Sequence, residues 1–175
     1  MAIRDGLRVG QMGVTLIVKD VDAAADFYRD VLGAEEIRRN ASPLPVDPPG
    51  PHAHWAELRL GDVHLVVARE NPRWREAPRP DWPRSPLSAG ASAVGLTLYV
   101  EDVDATFARA LAAGATPQTR DGAPEDTYWG DRVVGFHDPF GHVWRIQTCR
   151  EEVDYEELPA RYEAAWQAHR AARAN

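Results

Sequence analysis

The chain has 175 residues, a formal net charge of −7 and a single cysteine. This length suits one domain, or two small modules that share a core. The acidic balance argues against nucleic acid as a partner, because binding to a phosphate backbone needs clustered Lys and Arg. Cys149 has no partner for an intrachain disulfide, and no stretch approaches the roughly 20 apolar residues of a membrane span. We therefore expect a cytoplasmic protein with no membrane partner.

Alternating apolar residues predict a first strand over residues 12–19. A helix should follow, because Asp20 or Asp22 can cap its start and Gly33 can end it. Its apolar face is expected to hold Phe27, Tyr28, Val31 and Leu32. Three short strands complete a βαβββ order, over residues 35–38, 55–60 and 63–69.

The same order recurs in the second half of the chain. The stretch TLIVKDVDA at residues 15–23 is nearly repeated as TLYVEDVDA at residues 97–105. A second helix should be capped by Asp102 or Asp104 and ended by Gly114. A chain that repeats one such unit usually packs the copies together, so we interpret this pattern as an internal duplication. The predicted strands of the second copy are residues 94–100, 115–119, 132–137 and 142–148, and its helical stripe is Phe107, Ala110 and Leu111.

These patterns predict a single domain over residues 1–149. It consists of a first module over residues 11–70, a Pro-rich linker over residues 71–92 and a second module over residues 93–149. Residues 150–175 form an acidic segment and then an amphipathic C-terminal helix.

Two Pro-rich stretches, residues 42–54 and 71–90, are expected to contain neither helix nor central strand. Trp74 and Trp82 in the linker either anchor it to the domain surface or close over a ligand. The C-terminal helix has an apolar stripe that packs on its own domain or on a partner subunit, and the pattern leaves both open. This stripe comprises Leu158, Tyr162, Ala165, Trp166 and His169.

Strand alternation separates two faces of the predicted sheets. One face is apolar and should carry the helices: Val14, Leu16, Val18, Ala56, Leu58, Leu60, Leu96, Leu98, Val100, Trp144 and Ile146. The other, here called the mixed face, combines aromatic, polar and charged residues with glycine: Gly13, Thr15, Ile17, Trp55, Glu57, Arg59, Gly95, Thr97, Tyr99, Arg145 and Gln147. A face of this composition suits the wall of a ligand cleft. An exposed sheet face with ordinary cross-strand pairs is the alternative.

Glu57 is the candidate general acid or base on the mixed face. A salt bridge to Arg59 or Arg145 is a simpler explanation for it. His52 and His54 have the spacing of one strand face, but the six histidines form no compact cluster in the sequence.

Four motifs together resemble the vicinal oxygen chelate superfamily, the glyoxalase, bleomycin-resistance and extradiol-dioxygenase group. They are the repeated V-x-D-V-D-A starts, AADFYRDVLGAEE, ARALAAGAT and YWGDRVVGFHDPFGHVW. The resemblance implies an α+β fold in which two tandem βαβββ modules form curved mixed sheets around a concave cavity, often in a dimer. In this chain the C-terminal helix is added to that fold.

The resemblance also implies where metalloenzymes of this group carry their metal ligands. Carried over to this chain, those positions are Gly13, Leu65, Gly95 and Arg145. None of these side chains can bind Zn²⁺, Ni²⁺ or Fe²⁺, so we expect no metal and no other cofactor.

We therefore predict a metal-independent small-molecule-binding protein, a homodimer, that sequesters an aromatic or anionic metabolite or antibiotic. One alternative is an enzyme of the same superfamily, a lyase, isomerase or dioxygenase-like protein. It would use a non-standard metal site at His52, His54 and Glu57, or Glu57 as a metal-free base. A structural or regulatory dimer whose loops fill the cavity is another alternative. The predicted ligand-binding residues are Trp55, Glu57, Arg59, Thr97, Tyr99, Tyr128, Trp129, Arg145 and Gln147.

Overall fold

A computed structural model describes residues 10–41, 53–71, 82–118 and 122–174. The chain divides into two compact units, each discontinuous in sequence. The first runs to Val94 and also takes in Asp138–His142, and the second consists of residues 95–137 and 143–175. The elements are β1 Gly13–Val18, α1 Val21–Leu32, β2 Glu35–Ala41, β3 Ala53–Leu60, β4 Val63–Arg69, α2 Pro86–Ala89, β5 Gly95–Tyr99, α3 Val103–Ala112, β6 Thr116–Pro117, β7 Glu125–Asp126, β8 Asp131–His137, β9 Val143–Cys149 and α4 Leu158–Ala174.

The first unit is a four-stranded mixed sheet in the order β1-β4-β3-β2, with α1 packed on β3 and β4. β1 runs parallel to β4, and the other pairs are antiparallel. α1 starts where the side chain of Asp20 accepts a hydrogen bond from the Ala23 amide (3.0 Å) and ends at Gly33, whose φ of 76° suits glycine. The predicted cap, stop and buried face of this helix are therefore confirmed. The buried residues include Phe27, Tyr28, Val31 and Leu32.

The second unit repeats this plan with strands in the order β5-β9-β8-β6, and β7 adds to β8. β5 and β9 are parallel, as β1 and β4 are. Asp102 caps α3 by accepting from the Ala105 amide (2.9 Å). Leu111 was predicted on the buried stripe of α3 but is exposed, because the stripe that packs on the sheet is narrower. That stripe consists of Val103, Thr106, Phe107 and Ala110.

The two mixed sheets and the C-terminal helix confirm the predicted α+β fold class. Two local expectations are corrected. The strand predicted over residues 115–119 is only Thr116–Pro117, and a short strand at Glu125–Asp126 was not predicted. The linker, expected to be free of helix, forms one turn at Pro86–Ala89, since proline is tolerated at the first helical position. Residues 42–52 and Trp74 lie outside the described residues, so the expectations about them remain predictions.

A buried carboxylate next to the first sheet binds the part of the Pro-rich linker that the structure describes. Glu70, directly after β4, accepts hydrogen bonds from the Ser85 amide (2.9 Å), the Ser85 hydroxyl (2.7 Å) and the Ser88 hydroxyl (2.9 Å). Burial alone would raise the pKa of Glu70, but these hydrogen bonds lower it below its ordinary value. The linker is therefore fixed at its end by a charged acceptor.

Within the second unit, an ion pair and a ring contact connect the C-terminal helix α4 to the preceding part of the chain. Arg161 donates two hydrogen bonds to the carboxylate of Glu151 (2.9 and 2.6 Å), and the ring of Tyr162 lies 5.3 Å from that of Tyr128. Most of the predicted apolar stripe is open, since Tyr162 and Trp166 are 51% and 49% exposed. No helix in the described ranges has both the length and the apolar character needed to cross a bilayer.

The tight turn between β8 and β9 is buried against α1. Asp138 accepts from the amides of Phe140 and His142 with one carboxylate oxygen (both 2.9 Å) and from the Tyr28 hydroxyl with the other (2.8 Å). The ring of Phe140 meets Phe27 and Tyr28 edge-on, with centroids 6.1 Å apart in each case. Burial, then the charge and hydrogen bond of Asp138, raises the pKa of Tyr28 well above 10.

We expect Tyr28→Phe to lower the free energy of unfolding by about 1–3 kcal/mol at pH 7, because Asp138 is buried and loses its hydroxyl donor. Tyr155→Phe, at an exposed tyrosine, is the matched control and should change stability by less than about 0.5 kcal/mol. Urea unfolding of the three proteins measures both effects. Equal stability of Tyr28→Phe and the unchanged protein would contradict this role for the hydroxyl.

The raised pKa of Tyr28 also predicts how stability depends on alkaline pH. The unfolded tyrosine ionises near pH 10, whereas the folded one keeps its proton to higher pH, so its contribution is complete below about pH 10 and is lost as pH rises further. Between about pH 9 and 11, Tyr28→Phe should therefore lose less unfolding free energy than the unchanged protein. Unfolding series at stepped pH test this, and parallel curves would refute it.

Candidate functional site

The strand register of the first unit confirms which residues share the mixed face there. Thr15, Val66, Glu57 and Arg38 lie side by side across β1, β4, β3 and β2. The opposite face is the buried one, under α1. Its buried side chains include Leu16, Val18, Ala56, Leu58, Leu65 and Val67.

The two registers also show which positions of the duplicated sheets are equivalent. Thr15 pairs with Val66 in the first unit as Thr97 pairs with Arg145 in the second. Val66 is therefore the counterpart of Arg145. Leu65, the expected counterpart, points into the core, because the turn before β4 is shorter than the turn before β9. The position that corresponds to a family metal ligand was expected at Leu65, and the register places it at Val66, one residue further along β4.

The side chains at these positions do not fit a divalent metal. Gly13 and Gly95 offer no side-chain donor, Val66 is apolar, and Arg145 is a cation. Within the described ranges, no group of three His, Cys, Asp or Glu residues is placed to hold a metal ion. His52, the first residue of the alternative metal site, lies outside those ranges.

On the mixed face of the first unit, Glu57 pairs with Arg38 and not with Arg59 or Arg145. One terminal nitrogen of Arg38 donates to both carboxylate oxygens of Glu57 (2.7 and 2.8 Å), and the guanidinium lies 5.3 Å from the centre of the Trp55 ring. Arg59 forms its ion pair with Glu35, the residue opposite it in the register. The predicted residues Trp55 and Glu57 therefore lie together, while the charge of Arg59 is already neutralised.

On the mixed face of the second unit, one buried carboxylate fixes two aromatic side chains. The same oxygen of Asp131 accepts from the Tyr99 hydroxyl and the Trp129 indole nitrogen, both at 3.1 Å. Tyr99 and Trp129 are 63% and 36% exposed, so their polar ends are anchored while their rings remain open to solvent. Tyr128 meets Trp129 edge-on at 4.9 Å, and the side chain of Gln147 also hydrogen-bonds Tyr99.

Arg145 is exposed on an interior strand of this sheet and has no counter-ion among the residues that the structure describes. It lies on β9 between Thr97 of β5 and Gly135 of β8. In the described part of the chain no hydrogen bond or carboxylate engages its guanidinium. A Cβ at Gly135 would stand 2.6 Å from the side-chain oxygen of Gln118, so a larger residue beside Arg145 would have to displace the end of that side chain.

The sequence reasoning missed four residues that the structure brings to these clusters. Strand alternation places Asp131 on the mixed face of β8, and it lies only two residues after Trp129. The sequence therefore did contain a signal for this residue. Placing Arg38 and His64 beside Glu57 requires the pairing of β2 and of β4 with β3, which alternation alone does not provide. Tyr162 joined the aromatic cluster through α4, whose packing the pattern left open.

Known proteins are similar to this chain in sequence and in fold. A family model described as the Glyoxalase/Bleomycin resistance protein/Dioxygenase superfamily matches residues 10–146. The uncharacterized protein Rv0887c of Mycobacterium tuberculosis (strain H37Rv) is 37% identical over 145 residues, which are 83% of this chain and 78% of that protein.

Solved structures agree with the fold. TioX from Micromonospora sp. ML1 has a TM-score of 0.55 and 26% identity, with coverage of 80% of this chain and 98% of that one. The fosfomycin resistance protein FosX from Mesorhizobium loti has a TM-score of 0.52 and 17% identity, with coverage of 81% and 93%. FosX supports the fold alone at this identity.

Because Asp131 anchors Trp129, we expect Asp131→Ala to free the indole. The Trp129 indole proton should then exchange with solvent at least about fivefold faster, since a hydrogen bond to a charged acceptor is lost. Proton–nitrogen NMR measures this rate, and a Trp129→Phe variant identifies the resonance. Glu152→Ala, at an exposed carboxylate of the same unit, is the control. An unchanged exchange rate in Asp131→Ala would show that Asp131 does not hold the ring.

Proposed function

Because the chain belongs to the glyoxalase/bleomycin resistance protein/dioxygenase superfamily, we propose that it is a metal-independent small-molecule-binding protein. Its ligand would be an aromatic, anionic metabolite or antibiotic, bound on the mixed face of the second unit. The observation that carries this proposal is Arg145. It lies on an interior strand, next to anchored aromatic rings, and no described residue is its counter-ion.

The distance between Arg145 and the anchored aromatic rings suits a single ligand that contacts both. Tyr99 pairs with Gln147, two residues along β9 from Arg145, which corresponds to roughly 7 Å along the strand. The guanidinium can donate two parallel hydrogen bonds to a carboxylate, sulfonate or phosphate group. The ring faces of Tyr99 and Trp129 can stack on a flat ligand, and Thr97 and Gln147 can orient its polar atoms.

Anchoring the rings in advance favours binding. An aromatic side chain that is free to rotate loses rotamer entropy when a ligand stacks on it, at a cost of about 0.5–1.5 kcal/mol. Asp131 has already restricted Tyr99 and Trp129 through their polar ends. The rings are therefore positioned before the ligand arrives.

The contacts of Glu57 support binding over catalysis by this residue. A general base needs a free lone pair directed at the proton that it removes. Arg38 donates to both oxygens of Glu57, so the carboxylate is already engaged in an ion pair. The family description includes bleomycin resistance proteins, which makes antibiotics one ligand class to screen.

The proposal predicts a charge-specific loss of affinity in Arg145→Gln. The probe 8-anilino-1-naphthalenesulfonate combines aromatic rings with an anionic group, and N-phenyl-1-naphthylamine has similar rings without the charge. We expect Arg145→Gln to weaken sulfonate binding about tenfold, the size of a lost charge-assisted hydrogen bond, and to leave binding of the neutral amine nearly unchanged. Fluorescence titration measures both affinities.

Arg170→Gln, at an exposed arginine of α4, is the matched control and should bind both probes as the unchanged protein does. Equal effects of Arg145→Gln on the two probes would contradict a role for Arg145 in anion binding. Stoichiometric Zn²⁺, Ni²⁺ or Fe²⁺ in the purified protein, measured by elemental mass spectrometry, would contradict metal independence.

A further inference from the structure

His64 is a partly enclosed histidine in the first unit and has no role in the site proposed above. It lies on β4, opposite Gly13 of β1 and Arg59 of β3, and its side chain is 15% exposed. Its Nε2 atom is buried, has no hydrogen-bond partner among the described residues and lies 3.6 Å from a carboxylate oxygen of Glu57. A buried ring nitrogen this close to a carboxylate calls for a physical explanation.

The neighbouring ion pair determines which ring nitrogen of His64 carries the proton. Arg38 donates to both oxygens of Glu57, which keeps that carboxylate ionised beside Nε2. A carboxylate beside one imidazole nitrogen favours the proton on that nitrogen and leaves the other as an acceptor. We therefore expect the tautomer of His64 that carries its proton on Nε2, 3.6 Å from Glu57, and has a lone pair on Nδ1.

Gly13 has no side chain that could cover the Nδ1 side of the ring. A Cβ at position 13 would stand 3.6 Å from Nδ1 and 3.3 Å from the His64 carbonyl oxygen. Any side chain longer than a hydrogen would thus occupy the space in front of the acceptor. Gly13, where the family resemblance implies a metal ligand on β1, is the same residue that leaves this space open.

We propose that Nδ1 of His64 accepts a hydrogen bond from the hydroxyl of a phenol-type ligand, at a second binding subsite on the mixed face of the first unit. An acceptor nitrogen selects a donor group. The charges of Arg38 and Glu57 cancel locally, so the subsite favours neither an anion nor a cation. The nearest side chains of the same face, Thr15 and Val66, suit an aromatic carrier of that hydroxyl, and Trp55 lies further along the face, opposite Ala68.

The tautomer can be tested without any ligand. Nitrogen-15 NMR of the imidazole rings distinguishes Nε2–H from Nδ1–H, and His64→Phe identifies the resonances. We expect His64 to be mainly the Nε2–H form, and Glu57→Ala to increase the Nδ1–H fraction. A dominant Nδ1–H form in the unchanged protein would overturn the proposal, because the acceptor would then face Glu57.

The ligand class is tested with 4-fluorophenol and 4-fluoroanisole, which differ in having a hydroxyl or a methoxy group. Fluorine NMR titration should show that the unchanged protein prefers the phenol by about three- to tenfold, the value of one hydrogen bond. His64→Phe should abolish the preference, and His169→Phe, at an exposed histidine of α4, should keep it. Absence of any preference in the unchanged protein would overturn the proposal.

Gly13→Ala provides a second variant in case His64→Phe does not fold. Its methyl group should remove most of the phenol preference by occupying the space before Nδ1, and a retained preference would overturn the proposal. Arg145→Gln separates this subsite from the proposed function. That variant should lose sulfonate affinity while it keeps the phenol preference, so either proposal can fail without the other.

Discussion

The parallel pairing of β1 with β4, and of β5 with β9, determines which side chains each sheet buries and which it leaves open. Paired residues share a face, and each strand alternates, so one register assigns every side chain of a sheet. In the first unit this assignment puts Leu65 under α1 and Val66 on the mixed face. The duplicated copies therefore keep similar cores while their mixed faces carry different chemistry. Where one has Val66, the other has Arg145.

The charged side chains around these faces differ in whether they are satisfied. Arg39 joins α1 to β2 through Asp22, Asp26 and Glu36, and the hydrogen bonds of Glu36 raise the pKa of Arg39 further above its ordinary value. Arg132 makes equivalent contacts with Asp104 in the second unit. Such partly exposed pairs add little stability, but they do hold side chains in place. Arg145 has no such partner in the described chain, which distinguishes it from these arginines.

Local signals in the sequence predicted the repeated framework well. Asp20 and Gly33 act within a few residues of their own positions, so caps and stops could be read directly, and strand alternation separated the buried face from the mixed one. Pairing between distant strands could not be read in this way. The irregularity between Glu36 and Arg38 shifts the register of β2 and places Arg38 opposite Glu57, whereas the sequence analysis considered only Arg59 and Arg145 as its partners.

The site itself was only partly predictable for the same physical reason. Trp129 and Arg145 were identified from alternation and from the family resemblance, and their roles as ligand contacts remain predictions. Asp131 was missed because a carboxylate at the start of a strand is usually solvated, and its two donors come from different segments of the chain. Tyr162 depended on how α4 packs, which composition does not determine.

The buried turn Asp138–His142 has a consequence for folding during synthesis. Tyr28 and its acceptor Asp138 are 110 residues apart, although both belong to the first compact unit. At about 5–20 residues per second, a ribosome needs roughly 5–20 s to make the chain between them. During that interval the hydroxyl of Tyr28 and the apolar face around Phe27 lack their final cover. The nascent first half therefore has to remain soluble with part of its core exposed until the last hairpin emerges.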